Sequence, residues 1–109
     1  MAPAFILARG GYDVWMANNR GNRFSIAHTT LDTKEKPFWE FSWEELGTKD
    51  TPAIIDYILG LTGFEKITYI GHSEGTTQIM AGASLIPQFY KDKMLVSVFL
   101  APPAAMRNN

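Results

Sequence analysis

Apolar residues along this chain come in short blocks separated by polar, glycine- or proline-containing breaks. Residues 3–8 hold Phe5, Ile6 and Leu7 and read as the end of an apolar helix, stopped by Gly10-Gly11. A helix this apolar needs a sheet to cover, and no strand precedes it, so the chain reads as starting in the middle of a fold. Residues 12–17 are the first strand candidate, and 18–22 follow as a turn cluster of Asn, Arg and Gly. Residues 23–36 are polar and irregular, a long surface loop. Residues 48–63 give the clearest helix. Thr51 is the predicted N-cap, with Pro52 at the first helical position; Ile54, Ile55, Ile58 and Leu59 form a stripe that Leu61 extends, and Gly60 and Gly63 end it. Residues 67–70 are β-branched or aromatic and suit a buried parallel strand. Residues 76–86 are small and apolar, a helix packed close to a sheet and ended by Pro87. Residues 88–93 read as a polar connection and 94–100 as a strongly apolar strand, broken by Ala101-Pro102-Pro103-Ala104. Helices alternating with strands in this way predict an α/β fold: a parallel sheet with helices on its faces.

Composition narrows the picture. The 109 residues suffice for one small domain, and 46% apolar content is that of a soluble globular protein. A net charge of -1 gives no reason to expect nucleic acid or an anionic membrane as partner. With no cysteine, a disulfide framework and a thiolate metal site are excluded. No run approaches a transmembrane segment in length. Met1-Ala2-Pro3 lacks a basic n-region and Arg9 interrupts the apolar run, so the N-terminus does not read as a signal peptide. Neither G-x-G-x-x-G after a strand nor G-x-x-x-x-G-K-[ST] occurs, which argues against a nucleotide site.

The candidate chemistry sits at Gly71-His72-Ser73-Glu74-Gly75, which matches G-x-S-x-G. A strand precedes it and a helix follows, the context in which such a turn presents a serine hydroxyl above a sheet. Strain at the serine and close passage of the chain at the flanking glycines are the physical reasons for the spacing. A helix starting at the serine would aim free N–H groups and its positive dipole end at the reacting centre. The alternative is an ordinary glycine-rich turn. Other candidates are weaker. His28 could act as a general base, yet loop histidines are mostly solvated or bonded locally. The aromatic run Phe38, Trp39, Phe41, Trp43 could wall an apolar ligand site, but core packing is the commoner use. Glu40, Glu44 and Glu45 have no histidine near them in sequence and read as solvated carboxylates at a helix start.

Several stretches together resemble the acid lipase family, which includes gastric and lysosomal acid lipases. They are residues 11–15, 18–22, 38–45, 50–59 and 71–78, in the right order over nearly the whole chain. The resemblance implies an incomplete α/β-hydrolase fold over 1–109 that lacks N-terminal strands, the cap and the C-terminal Asp/His region. It implies cleavage of triacylglycerols or sterol esters at a lipid–water interface, with no cofactor and no metal, by a secreted or lysosomal protein. Ser73 falls on the nucleophile, and the backbone N–H of Glu74 on one oxyanion-hole donor. Gly71, His72 and Gly75 support the elbow, and His72 is not the base. Glu74 stands where glutamine is usual. In the family sheet, a strand from upstream lies between the Val14 and Ile67 strands, so those two should be separated by a gap.

Such a fold orders its triad Ser, Asp or Glu, then His. Apart from Glu74, the only acid after Ser73 is Asp92, and no histidine follows. Losing the base of such a triad costs on the order of a millionfold in turnover, and losing one oxyanion donor about a hundred- to thousandfold. The isolated chain is therefore predicted to lack useful lipase activity. Two other readings stand beside it. One is a short non-catalytic protein with a lipase-like apolar surface for lipid or a protein partner. The other is a different serine carboxylesterase or thioesterase.

Overall fold

The computed structural model describes residues 2–103, so Ala104 of the predicted strand-breaking run lies outside the described residues. Helix α1 (Pro3–Arg9) opens on its proline, and the left-handed Gly11, φ 91°, turns the chain away behind it. The helix forms as predicted, and its cover does not: none of its residues is buried, and Phe5 and Ile6 are more than half exposed.

Residues 12–17 were expected to be a strand, and this is corrected: they belong to no ladder. An extended segment becomes a strand only when a neighbour takes its backbone hydrogen bonds, and no described segment pairs with it. Its side chains lean on a helix instead. Trp15 meets Tyr57 edge to face with ring centroids 6.5 Å apart, and Trp15, Met16 and Ala17 line a shallow apolar groove against Ala53, Ile54 and Ile58.

The central helical region begins earlier than expected, and Thr51 is not its N-cap. The start is Ser42, whose hydroxyl accepts from the Glu44 amide at 3.2 Å while Glu45 accepts from the Ser42 amide at 2.8 Å, a capping box that opens α2 (Trp43–Glu45). The chain then makes one π turn over Leu46–Asp50 and continues into α3 (Thr51–Thr62) without a break. Thr51 and Pro52 imitate a helix start because the proline lies just beyond this irregular turn. The Thr51 amide bonds to Leu46 O in the wide π pattern. The next bond of that pattern would need an N–H at Pro52, which has none. The Gly47 carbonyl is thereby left for another donor, and Tyr90 Oη supplies it. Gly60 lies inside α3, and the left-handed Gly63, φ 74°, ends it. Ile55 and Ile58 are buried, whereas Leu61 is 60% exposed and does not extend the core face.

Strand β1 (Ile67–His72) pairs in parallel with β2 (Met94–Leu100), from Ile67 opposite Met94 to His72 opposite Leu100, with a register shift just after Ile67. Between them run α4 (Glu74–Leu85) and α5 (Pro87–Lys93). The predicted polar connection at 88–93 is thus a helix. Pro87 sets its first turn, and Gln88 donates to Asp92 one turn on at 2.7 Å.

The core is Ile55, Ile79 and Tyr90, with Ile67, Tyr69, Ala83, Phe89, Met94 and Phe99 packed around it. All of it lies on one face of the sheet. In β1, Ile67, Tyr69 and Gly71 are covered to some degree while Thr68, Ile70 and His72 are exposed. The strand at 67–70, expected to be buried, is covered on one face and exposed on the other. Among the described residues β1 pairs with β2 alone and not with the Val14 segment. Of the aromatic run, only Phe38 is buried, with Trp39 and Trp43 more than 40% exposed, so core packing accounts for one ring of the four.

Candidate active site

β1 runs straight into α4 through Ser73, which sits at φ 51° and ψ -113°. A left-handed φ in a residue with a β-carbon costs on the order of 1–3 kcal/mol and persists only where the surroundings over-determine it. Three hydrogen bonds do so. The Ser73 amide donates to Leu100 O of β2 at 2.9 Å, and the Ser73 carbonyl accepts from the Thr76 amide at 2.9 Å and the Thr76 hydroxyl at 2.7 Å. Leu100 is itself followed by Ala101 at φ 49°, so two strained residues stand side by side at the carboxyl ends of the two strands. Ser73 is exposed, as are His72 and Glu74. Glu74 is the first residue of α4, so its N–H lies outside the helix ladder.

The two glycines are unequal. A Cβ on Gly71 would stand 2.7 Å from Gly75 O, a backbone atom that cannot yield. A Cβ on Gly75 would meet only Tyr69 Oη, at 3.3 Å. Neither has a positive φ, so close packing and not backbone freedom is what keeps them small.

Beneath this turn lies a hydrogen-bond chain that sequence reasoning missed. Tyr69 Oη donates to Gly75 O at 2.8 Å and accepts from Gln78 Nε2 at 3.0 Å. Gln78, buried at 5% exposure, donates also to Thr51 Oγ1 at 3.2 Å, while its Oε1 accepts from Asn19 Nδ2 at 2.6 Å. Thr51 Oγ1 passes its own proton to Leu46 O at 2.9 Å. Both ends are carbonyls, which can only accept, so the direction of every bond between them is fixed. Burial pushes the Tyr69 hydroxyl above the usual phenol range, against a smaller opposite pull from the Gln78 hydrogen bond. The loop that carries Asn19 is anchored in turn. The Arg20 amide and Nε donate to the two oxygens of Asp50 at 2.8 and 2.7 Å, and the Arg20 guanidinium also pairs with Asp50 Oδ1.

Residues 2–109 match the alpha/beta hydrolase fold family. The chain belongs to that family. Similar curated proteins carry lipase names. Lipase 1 of Drosophila melanogaster is 50% identical over 99 residues, 91% of this chain and 22% of its own length. Human lysosomal acid lipase/cholesteryl ester hydrolase is 48% identical over 87 residues, 80% of this chain and 22% of its own. Human lipase member M is 44% identical over 104 residues, 95% of this chain and 24% of its own. The chain thus spans about a quarter or less of these relatives.

In this alpha/beta hydrolase chain the remaining candidates are held by partners other than Ser73. Asp92 lies in the last turn of α5, two residues before Met94, which pairs with Ile67 at the opposite end of β1, roughly 15–20 Å away along the strand. His28 Nδ1 accepts from the amides of Thr30 and Leu31 at 3.1 and 3.0 Å, and its ring meets Phe38 edge to face. That is a loop-shaping role. Among the carboxylates, Glu45 closes the capping box, and hydrogen bonds from the Ser42 backbone above all hold its carboxyl below the usual range. Glu40 pairs with Lys36 at 3.5 Å. Among the described residues no cluster of His, Asp and Glu could hold a metal ion, and no helix is long and apolar enough to cross a membrane.

Proposed function

We propose that these residues form the nucleophile-bearing middle of a serine lipase that hydrolyses carboxylic ester bonds of neutral lipids. The observation that carries the reading is the strained, exposed Ser73 at the apex of a strand-to-helix turn, in a chain whose similar proteins are named lipases. Ser73 Oγ attacks the ester carbonyl. The oxyanion that develops is met by the Glu74 N–H at the positive end of α4. The triad histidine takes the Ser73 proton and passes it to the alcohol as the adduct collapses, and water then cleaves the acyl-enzyme to free the acid and restore the serine. The Asp and His that complete the triad are supplied by polypeptide outside these residues, as is the second oxyanion donor. The substrate is a triacylglycerol or sterol ester at a lipid–water interface, and the compartment is secretory or lysosomal.

The test is covalent labelling of the full-length polypeptide with a fluorophosphonate, followed by peptide mass mapping. The label is expected on Ser73, and Ser73→Ala should abolish both labelling and fatty-acid release from an emulsified triacylglycerol. Retained hydrolysis in Ser73→Ala would refute the assignment. The 109 residues alone should show no useful turnover of a short-chain ester. Turnover there that vanishes in Ser73→Ala would point to His28 or a partner chain as base.

One observation favours a second reading, a non-catalytic binder of lipid or protein. Leu95, Val96, Val98 and Leu100 present an exposed apolar strand. The strain held at Ser73 counts against it, because a binding surface has no use for a strained serine.

A further inference from the structure

We infer that the buried relay Asn19–Gln78–Tyr69 is a positioning device for the reacting serine, with Tyr69 its working end; the inference rests on Ser73 being the nucleophile. Tyr69 lies on β1 four residues before Ser73, and its hydroxyl reaches across the turn to Gly75 O, two residues after it. The bond closes a brace around residues 69–75 with the serine at its apex. Gly75 lies in the first turn of α4, where its carbonyl already serves the helix ladder with one lone pair. The Tyr69 hydroxyl is a second donor to that oxygen, so it adds little to helix formation and a good deal to the angle at which α4 leaves β1.

That angle matters for two atoms. The peptide unit carrying the Glu74 N–H lies inside the brace, and its direction decides whether the N–H meets the developing oxyanion. The Ser73 side chain hangs from the same segment, at a φ that relaxes if the turn opens. The Ser73 carbonyl is restrained by Thr76 and its amide by β2, but both bonds act at Ser73 itself. The bonds that Tyr69 Oη makes to Gly75 O and Gln78 Nε2 tie the strand before the serine directly to the helix after it.

The rest of the relay keeps the tyrosine aimed. Tyr69 Oη spends its one proton on Gly75 O and can then only accept, and Gln78 Nε2 meets that need at 3.0 Å. The second Gln78 proton goes to Thr51, so the amide cannot flip without losing both acceptors. Asn19 holds the Gln78 carbonyl at 2.6 Å from a loop anchored by the Arg20–Asp50 pair. Orientation at the serine is thereby linked to the loop at 18–22, which is remote from it in sequence.

The inference separates positioning from mere support through kcat and KM. In the full-length polypeptide, Tyr69→Phe keeps the ring and its packing and deletes only the brace. At a temperature well below its melting point, kcat for a soluble short-chain ester should fall on the order of ten- to a hundredfold. KM should stay within about twofold, and the second-order rate of fluorophosphonate labelling should fall by the same factor as kcat. Asn19→Ala acts at the outer end of the relay, on a half-buried loop residue, and should lower kcat by a smaller factor in the same direction. Unchanged kcat in both variants, whatever happens to the melting temperature, would overturn the inference and leave the relay a packing feature. Failure of the underlying reading looks different: Ser73→Ala would then retain turnover.

Discussion

Gly47 and Gly82 bring two backbones into close contact, and alanine at Gly82 is an informative stability test. A Cβ there would stand 2.6 Å from Tyr90 Cε2 and would also crowd the Gly47 carbonyl, which Tyr90 itself engages. Helix propensity argues the other way: Gly→Ala inside a helix such as α4 gains about 1 kcal/mol. Overpacking a tight contact costs roughly 1–3 kcal/mol. Displacing Tyr90, one of the three core residues, leaves the Gly47 carbonyl short of its buried donor for about 1–3 kcal/mol more. The net expectation is a loss of about 1–5 kcal/mol, a large share of the several kcal/mol that hold a domain of this size. Gly60 provides the internal control. It lies inside α3 with open space where a Cβ would go, so Gly60→Ala should stabilise by about 0.5–1 kcal/mol. Urea unfolding followed by circular dichroism, with both variants compared to the parent at equal slope, reads the two shifts. A Gly82→Ala midpoint at or above that of Gly60→Ala would refute the steric account.

Two further outcomes follow from strain and from burial. Ser73→Gly should raise stability by about 1 kcal/mol, because glycine adopts the observed φ of 51° without penalty while the restraining backbone bonds remain. A midpoint in urea below that of the parent would mean that the turn holds no strain. Stability should also fall in alkali. Burial raises the Tyr90 hydroxyl from 10.0 to about 12, and Tyr69 shifts in the same direction. The native state therefore holds these protons more tightly than the unfolded chain. The stabilisation is complete below pH 10 and is lost as pH rises towards 12, a difference of roughly 2 kcal/mol. Unfolding midpoints that stay flat from pH 9 to 11.5 would contradict this.

What could be read from residue order was whatever one short segment encodes by itself. β2 was legible to the residue, because an apolar block bounded by Lys93 and Ala101-Pro102 has few alternatives. The turn at Ser73 was legible because its two glycines and the serine lie within five positions. The Tyr69–Gln78–Asn19 relay was not, since Asn19 and Gln78 are 59 positions apart and nothing local marks them as partners. The error at residues 12–17 has the opposite origin. Local preference for extension was real, but a strand also needs a neighbour. At 88–93, polar residues concealed a helix whose single buried ring, Tyr90, carries its packing. At Thr51 the usual start signals were present, yet the helix had already begun at Ser42, and the π turn between them has no sequence signature.

The missing amide of Pro52 has a consequence for how this sequence can drift. Give position 52 an ordinary residue, and a backbone N–H would become available to the Gly47 carbonyl beside the Tyr90 phenol. Pro52, Tyr90 and the facing pair Gly47 and Gly82 all bear on this one carbonyl, so substitutions among them are expected to be non-additive. A mutational scan should then report four sensitive sites scattered over the 44 positions from 47 to 90, whereas pairwise libraries should show them coupled.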